Sequence, residues 1–176
     1  YNLSRARLAL QRARQEAQQA EPNADAVANY LAVAVNTARQ ATDDQGRDVE
    51  TWETLASMYL NTQSLVPEAN QWAIESLERA LELEPTNPVF NWQMGNARAF
   101  GGNLEQAEEN YKQAIRLKPN YIIAYVSLSA LLESQERYDQ AIAVYEPIFQ
   151  LVQENSEALF TLGRLFYNRQ TEGDLG

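Results

Sequence analysis

The chain has 176 residues, of which 45% are hydrophobic and 22% are charged, and its formal net charge is -10. This composition is that of one globular domain or a short repeat array with a continuous core. An acidic surface repels phosphate backbones and anionic lipid, so we expect neither nucleic acid nor a membrane surface as a partner. Cysteine and histidine are absent, which excludes disulfides, thiol catalysis, cysteine-ligated zinc and the commonest general base.

The first helix is predicted from Leu3 to Ala20, where alanines at helical spacing form a face suited to close packing. Pro22 ends it, because proline disfavours helix at the residue before it. A second helix is predicted from Ala24 to Thr42, followed by the turn-forming stretch 43–46. Its buried stripe is expected to contain Val27, Leu31, Ala34, Val35 and Ala38.

A basic face lies on the first helix, formed by Arg5, Arg7, Arg12 and Arg14. Such a face can bind an acidic partner or lipid head groups, or it can be neutralised within the protein. We favour neutralisation by Glu16, Glu21 and the acidic remainder of the chain.

From Val49 onward the sequence repeats with a period of 34 residues. Residues in register at this spacing are Ala80 and Ala114, Pro85 and Pro119, Ala107 and Ala141, and the series Gly95, Ser129 and Gly163. Each period contains two amphipathic helices, and neither helix can bury its apolar face alone. Stacking of successive units buries these faces, as in repeat proteins.

The stretch 87–120 is the clearest copy, with two helices joined by Gly101-Gly102-Asn103 and closed by Pro119. The pattern W/Y-x2-L-G/A-x2-Y in the first helix, A-x3-Y/L-x2-A in the second and a final proline resembles the tetratricopeptide repeat. The resemblance implies an all-α, right-handed superhelical solenoid of antiparallel helix pairs. We expect a divergent helix pair or cap at 1–48, repeats at 49–87 (with a longer turn), 88–121 and 122–155, and a truncated repeat at 156–176.

Glycine within a helix costs up to about 1 kcal/mol relative to alanine. Gly95 and Gly163 are therefore expected where a neighbouring helix approaches too closely for a side chain. The second helices are expected to supply small residues and large fillers opposite: Ala73, Ala107 and Ala141, with Leu77, Tyr111 and Tyr145.

No catalytic motif is present, and we expect no enzyme activity, no catalytic residue and no cofactor or metal. Gly101-Gly102-Asn103 is interpreted as a turn, in which glycine supplies a positive φ, and not as a phosphate loop. Acidic residues near Gly46 lack the spacing of a calcium loop. A solvated helix face is predicted for Glu82, Glu84, Glu108 and Glu109.

The resemblance implies a groove lined by the first helix of each repeat. Its lining residues are predicted to be Glu53, Ser57, Trp92, Asn96, Phe100, Val126, Ala130, Phe160, Arg164 and Tyr167. In the alternative interpretation, Phe100 and Phe160 pack against the next unit instead. Lysine occurs only at Lys112 and Lys118, so the basic clamp with which some family members hold a C-terminal carboxylate is not expected.

The predicted function is a non-enzymatic module that binds a protein or peptide partner in an aromatic, mildly acidic groove. A second hypothesis follows from the stretch WAIESLERALELEPTNP, which is similar to repeat tails of bacterial O-antigen ligase-like membrane proteins. There the chain would be an extracytoplasmic tail of a polysaccharide ligase that positions partners. A third is self-association through Leu159, Leu162 and Phe166 of the truncated repeat. No apolar run approaches the roughly 20 residues of a membrane span, so we expect a soluble chain, on either side of the plasma membrane. Because the chain starts at Tyr1 without a methionine and stops just after a turn-like stretch, we expect it to be a fragment of a longer protein.

Overall fold

The regular secondary structure consists of α-helices and one 3-10 turn in the computed structural model, which describes residues 2–45, 48–63, 66, 68–153 and 155–173. No strand occurs among these residues. The chain divides into two units, Tyr1–Pro85 and Thr86–Gly176, called unit 1 and unit 2 below. Gly46, the turn residue Pro67 and the C-terminal stretch 174–176 lie outside the described residues, and so do the side chains of Asp43 and Asp44.

Unit 1 contains two helix pairs, α1 (Asn2–Ala17) with α2 (Ala24–Gln45) and α3 (Val49–Thr62) with α4 (Ala69–Leu83). Short connections make the two helices of each pair antiparallel neighbours. α1 ends three residues before the predicted Ala20, and its final alanine, Ala17, is exposed. Asp48 caps α3 by accepting a hydrogen bond of 3.1 Å from the backbone N–H of Glu50.

The core of unit 1 is built from alanines of α1 and α2 that meet larger side chains of α3. Ala6, Ala34 and Ala38 are fully buried, while Leu55 and Tyr59 fill the space beside them. The predicted stripe of α2 is thereby confirmed for its alanines. α1 is tied to α3 by Arg7, whose guanidinium donates to the Glu50 carboxylate at 3.1 Å and to the Thr54 hydroxyl at 2.9 Å.

The neutralisation predicted within the protein is confirmed for Arg7, because its partner Glu50 belongs to the acidic remainder of the chain. Glu16 accepts hydrogen bonds from the side chain of Gln19 and the backbone of Asn23 at the end of its own helix. Arg7 reaches Glu50 because α1 packs against α3 as well as α2, and the sequence pattern of α1 alone does not reveal that third helix.

Unit 2 begins with the pair α5 (Pro88–Phe100) and α6 (Leu104–Leu117), followed by α7 (Ile122–Ser134). Asn87 caps α5 by accepting from the backbone N–H of Val89 at 3.0 Å, and Pro88 occupies the first turn, where no backbone donor is needed. The chain continues through α8 (Tyr138–Ala143), a 3-10 turn (Glu146–Ile148), α9 (Phe149–Val152) and α10 (Ser156–Gly173).

The second helix of the third predicted repeat is interrupted, whereas the repeat pattern predicts two amphipathic helices in each period. α8 ends at Ala143, four residues before Pro147. Proline lacks the N–H that would bond to Ala143, and its ring clashes with that carbonyl. Tyr145 and Ile148 nevertheless stay buried in the unit 2 core, so the break changes the backbone and preserves the packing.

The turn between α5 and α6 is as predicted, with Gly102 at φ 78°. The position 34 residues later is Glu136, which adopts φ 61° between α7 and α8. The repeat geometry therefore imposes the left-handed conformation even where no glycine is present. For a non-glycine residue this costs about 1 to 2 kcal/mol.

Gly95 lies where α6 presses its largest side chain against α5. A Cβ built on Gly95 would stand 2.5 Å from Cε1 of Tyr111. The Tyr111 hydroxyl donates to Asn96 Oδ1 at 2.8 Å, and burial raises the pKa of Tyr111 to about 12. The expectation of close helix approach is confirmed at this position.

The same expectation is wrong for Gly163, because no atom lies within 4 Å of a Cβ built there. Ser129, the residue between these two in the 34-residue register, is buried and donates from its hydroxyl to the backbone carbonyl of Ala141 at 3.0 Å. One register position therefore has three different environments.

Glu108 is not on a solvated face, in contrast to the prediction. Its carboxylate lies 2.7 Å from Nη1 of Arg137 and 2.7 Å from Nζ of Lys112, and its side chain is mostly buried. The hydrogen bond from Arg137 is the main cause that lowers the pKa of Glu108, with Lys112 adding to it and burial opposing it. The Arg137 contact joins α6 to the turn before α8.

We expect Gly95→Ala to lower and Gly163→Ala to raise the free energy of unfolding. The first forces the Tyr111 ring to move, a strain of about 1 to 3 kcal/mol that exceeds the gain of up to about 1 kcal/mol in helix propensity. The second gains the propensity without a clash. Urea denaturation of both variants measures the sign of each change in the free energy of unfolding. Equal changes for the two variants would contradict the packing described.

We expect Glu108→Gln to lower the free energy of unfolding at pH 7 by about 1 kcal/mol. The folded pKa of Glu108 is lowered from 4.5, so its contribution is fully present above 4.5 and is lost as the pH falls through the folded value. The difference between variant and wild type should therefore shrink towards pH 3. Glu109→Gln is the control, since Glu109 pairs with Arg116 on the exposed surface. A pH-independent difference would exclude this ion pair as the cause.

Candidate partner-binding face

The first helices of three successive repeats in unit 2 are neighbours, because α7 packs against both α5 and α10. Most of the predicted groove residues lie on these helices. We call this set the groove face of unit 2, and it consists of Trp92, Asn96, Phe100, Val126, Ala130, Phe160, Arg164 and Tyr167.

The α5 part of the groove face is used within the protein. Trp92 donates from its indole N–H to the Ser127 hydroxyl on α7 at 2.9 Å. Its ring meets Tyr121 edge to face, with the centroids 6.3 Å apart. Asn96 accepts the hydrogen bond from Tyr111. Trp92 therefore joins two repeats, a role that its sequence position does not reveal, and both side chains are only half exposed.

A polar bridge connects α7 to α10. Glu133 accepts from Arg164 Nη2 at 2.6 Å and from Asn168 Nδ2 at 3.0 Å, and little of its side chain is exposed. The positive charge of Arg164 thus offsets the negative charge of the Glu133 carboxylate in this part of the groove face. The bridge thus joins α10 to α7, the central helix of the groove face.

Three aromatic side chains of the groove face remain exposed to solvent. The exposed fraction is 71% for Phe160, 66% for Tyr167 and 52% for Phe100. Neither Phe100 nor Phe160 is buried against another unit, which was the alternative interpretation for these two residues. Val126 is half-buried and Ala130 is exposed on α7. The exposed aromatic surface is therefore concentrated on α10.

The other side of α10 is packed against the rest of unit 2. Ala158, Thr161 and Leu165 are buried, and Leu165 belongs to the unit 2 core. Phe160 and Tyr167 are seven residues apart in sequence and so lie on one side of this helix, two turns apart. Helix packing thus positions the backbone that carries both rings, while the rings themselves stay exposed to solvent.

The two remaining predicted residues, Glu53 and Ser57, belong to unit 1. Both are half-buried on α3, and their role in binding stays a prediction. Trp72 on α4 was not among the predicted groove residues. The centre of its ring lies 5.3 Å from that of Tyr59 with the two planes tilted by 53°, and the guanidinium of Arg39 lies over it. Its neighbourhood brings α2, α3 and α4 together, and helical spacing along one segment cannot show this.

Among the residues that the structure describes, no helix is both long and apolar enough to cross a membrane. The same residues contain no group of three or more histidine, cysteine, aspartate or glutamate side chains arranged to hold a metal ion.

Antiparallel helix pairs in a 34-residue register, with first helices that present side chains to solvent, define an α-helical repeat protein. The tetratricopeptide-repeat family model matches residues 90–121. Small glutamine-rich tetratricopeptide repeat-containing protein 2 of Mycosarcoma maydis is 34% identical over 74 residues, which are 42% of this chain and 21% of that protein. Human Protein O-mannosyl-transferase TMTC1 is 28% identical over 124 residues, which are 66% of this chain and 14% of that protein.

Solved structures show the same fold at low sequence identity. A MamA protein matches with a TM-score of 0.67 and 18% identity, over 97% of this chain and 86% of that one. TTC0263, a thermophilic TPR protein in Thermus thermophilus, matches with a TM-score of 0.68 and 17% identity, over 95% of this chain and 100% of that one. The first TPR of Spaghetti (RPAP3) bound to HSP90 peptide SRMEEVD matches with a TM-score of 0.57 and 21% identity, over 68% of this chain and 96% of that one.

Residues 90–121 are therefore a tetratricopeptide repeat, and the chain has the fold of tetratricopeptide-repeat proteins. The predicted fold class, an all-α arrangement of antiparallel helix pairs of this type, is confirmed. The chain spans 21% and 14% of the lengths of these two relatives.

Proposed function

We propose that the chain is a non-enzymatic protein-interaction module whose groove face in unit 2 binds a segment of a partner protein. The observation that carries this proposal is the exposure of Phe160 and Tyr167 on α10, whose opposite side is buried. Large aromatic side chains, pre-positioned by packing, lose little conformational entropy on binding and frequently supply most of the energy of an interface.

The bound segment is expected to be apolar or aromatic where it meets α10. Apolar side chains of the partner would cover Phe160 and Tyr167, and polar groups would meet Arg164 and Glu133 between them. Because these two charges are already paired, a partner gains little net charge attraction there. The central recognition would therefore come from burial of the aromatic rings.

The HSP90 peptide of the Spaghetti complex is acidic, and we do not propose the same ligand here. Both lysines of this chain have neighbours in unit 2. Lys112 pairs with Glu108 at 2.7 Å, and Lys118 lies 5.0 Å from the centre of the Tyr121 ring. Neither lysine lies on a first helix, so the groove face lacks a lysine cluster that could hold a peptide carboxylate.

A repeat region inside a larger membrane-bound enzyme is the second candidate function. TMTC1 is named as a transferase and matches this chain over only 14% of its length, so repeats of this kind occur within longer enzymes. In this function the groove face would recruit or position partners of a polysaccharide ligase or similar enzyme. Apolar spans upstream in the full-length sequence would support it, and a full-length chain without them would exclude it.

Phe160→Ala is expected to weaken partner binding by about 2 kcal/mol or more, which is roughly a 30-fold increase in Kd. Tyr167→Ala should act in the same direction. Both side chains are exposed, so neither change should lower the melting temperature. The measurement is isothermal titration with the partner segment identified by cross-linking to the wild-type chain.

Phe149→Ala is the matched control, because Phe149 is 53% exposed on α9 and lies outside the groove face. It should leave the Kd unchanged. If Phe160→Ala and Tyr167→Ala bound every cross-linked segment as tightly as the wild type, the assignment of the groove face would be wrong.

Self-association is a third candidate, and the face of α10 around Gly163 favours it. Leu159 and Phe166 are 44% and 40% exposed there. This face predicts a concentration-dependent mass in light scattering that Leu159→Glu with Phe166→Glu abolishes. Phe160→Ala should leave that mass unchanged. A chain that is monomeric at all concentrations, or a dimer that survives the double change, would exclude this interface.

A further inference from the structure

Unit 1 contains a groove that no repeat motif predicts. It lies between α2 and α4, which are both neighbours of α3. Its volume is about 580 Å³ and its lining is almost entirely apolar. We call it the apolar groove, and it is lined by Ala17, Pro22, Ala24, Val27, Ala28, Leu31, Ala32, Val35, Asn36, Val66 and Trp72.

A second concavity of about 440 Å³ continues along α4. We call it the charged cleft. Its apolar part is Trp52, Leu55, Tyr59 and Trp72, and its polar part is Arg39, Glu75, Ser76, Glu78, Arg79 and Glu82. Three carboxylates face two guanidinium groups, so the lining is acidic. Arg79 pairs with Glu82 at 2.9 Å.

Trp72 lines both concavities and therefore joins them. Its ring lies 5.3 Å from that of Tyr59, and the guanidinium carbon of Arg39 lies 5.8 Å from its centre. Along α2 the apolar lining ends at Asn36, and Arg39 follows one helical turn later. Along α4, Trp72 is followed one turn later by Glu75 and Ser76. The change from apolar to charged lining thus occurs at the same place on both helices.

We propose that this joined surface binds a partner helix that carries an apolar stripe with a lysine or arginine about one turn beyond it. The apolar stripe would lie in the apolar groove, and the cation would enter the charged cleft beside Trp72 and Tyr59. This surface lies on other helices than the groove face and does not depend on the function proposed for it.

The small side chains of α2 are the first argument for this occupant. Ala24, Ala28 and Ala32 are exposed and lie one turn apart on the edge of the apolar groove. They leave the surface of α2 open to close approach, while Val27, Leu31 and Val35 form the apolar floor. A helix that lays its apolar face into such a groove is a common mode of recognition.

Charge complementarity is the second argument. The chain carries a net charge of -10, and the carboxylates Glu75 and Glu78 stand at the end of the apolar groove. Aromatic faces bordered by carboxylates attract an ammonium or guanidinium group. Arg39 already occupies one face of Trp72, which shows that a cation is accommodated there. Arg39 would compete with the incoming cation and weaken its binding.

The test begins with a random 12-residue peptide library displayed on phage and selected against the whole chain. The expected peptides combine apolar residues at helical spacing with a basic residue beyond them. The best three are synthesised with a fluorescent label, each also with glutamate in place of its basic residue, and binding is measured by anisotropy. The glutamate versions should bind at least about tenfold more weakly, since repulsion replaces attraction.

Ala28→Trp should fill the apolar groove and weaken the peptides by about tenfold or more. Asn29→Trp is the matched control, because Asn29 is exposed on the same helix but does not line the groove. Phe160→Ala should also have no effect on these peptides. Loss with Phe160→Ala and not with Ala28→Trp would assign the peptides to the groove face and overturn the proposal.

Two charge changes in the cleft should act in opposite directions. Glu78→Gln should weaken binding by about two- to fivefold at low salt, and Arg39→Gln should tighten it by a similar factor because the competing cation is gone. Glu68→Gln and Arg12→Gln make the same charge changes outside the cleft and should have little effect.

Misfolding cannot produce these opposite signs. The proposal is overturned if no peptide is enriched, if acidic peptides are enriched, or if Ala28→Trp leaves Kd unchanged. It is also overturned if Ala28→Trp turns a dimer into a monomer in light scattering, since the occupant would then be a second copy of the chain.

Discussion

The close contact between Gly95 on α5 and the Tyr111 ring on α6 controls how these two helices pair in unit 2. Tyr111 can approach α5 only because Gly95 has no Cβ, and its hydroxyl then reaches Asn96. This contact orients α5 against α6. With α5 so placed, Trp92 donates to Ser127 on α7, and the chain of contacts extends to the next repeat. The missing Cβ of Gly95 thus affects how the neighbouring helices pack, because close-packed interiors transmit displacements.

The contact made at the position of Gly95 differs in each following repeat, and the exposed surface differs with it. At Ser129 a hydroxyl bond to Ala141 replaces the ring, and at Gly163 nothing approaches. Pro147 has meanwhile interrupted the helix that would continue from α8. α10 packs through Ala158 and Leu165 and is joined to α7 by Glu133, and the exposed aromatic surface of unit 2 is concentrated on it. Packing regularity explains the pairing of α5 with α6, and departures from it explain where aromatic surface stays exposed.

The two proposed surfaces use opposite physical means. On α10 the charges are paired with each other, and exposed rings supply the driving force. In unit 1 the apolar groove meets the charged cleft at Trp72, and carboxylates outnumber guanidinium groups in that cleft. A partner would therefore be selected by the sign of its charge as well as by its shape. Residue type alone does not separate these cases. Trp92 and Trp72 are both half-buried tryptophans, yet one donates a hydrogen bond within the repeat stack and the other borders two concavities.

The order of residues along the chain was enough to establish the repeat, its helices and the turn at Gly102, because helical periodicity and left-handed turns depend on neighbours close in the chain. It also located the exposed aromatics of α10 on one face. Tertiary packing was needed to show that Trp92 joins two repeats, that Glu108 is enclosed by Arg137 and Lys112, and that Gly163 faces open space. The concavities at Trp72 likewise became visible only in the folded chain. These features depend on which side chains of distant segments meet, and the pattern within a single helix contains no information about its partners.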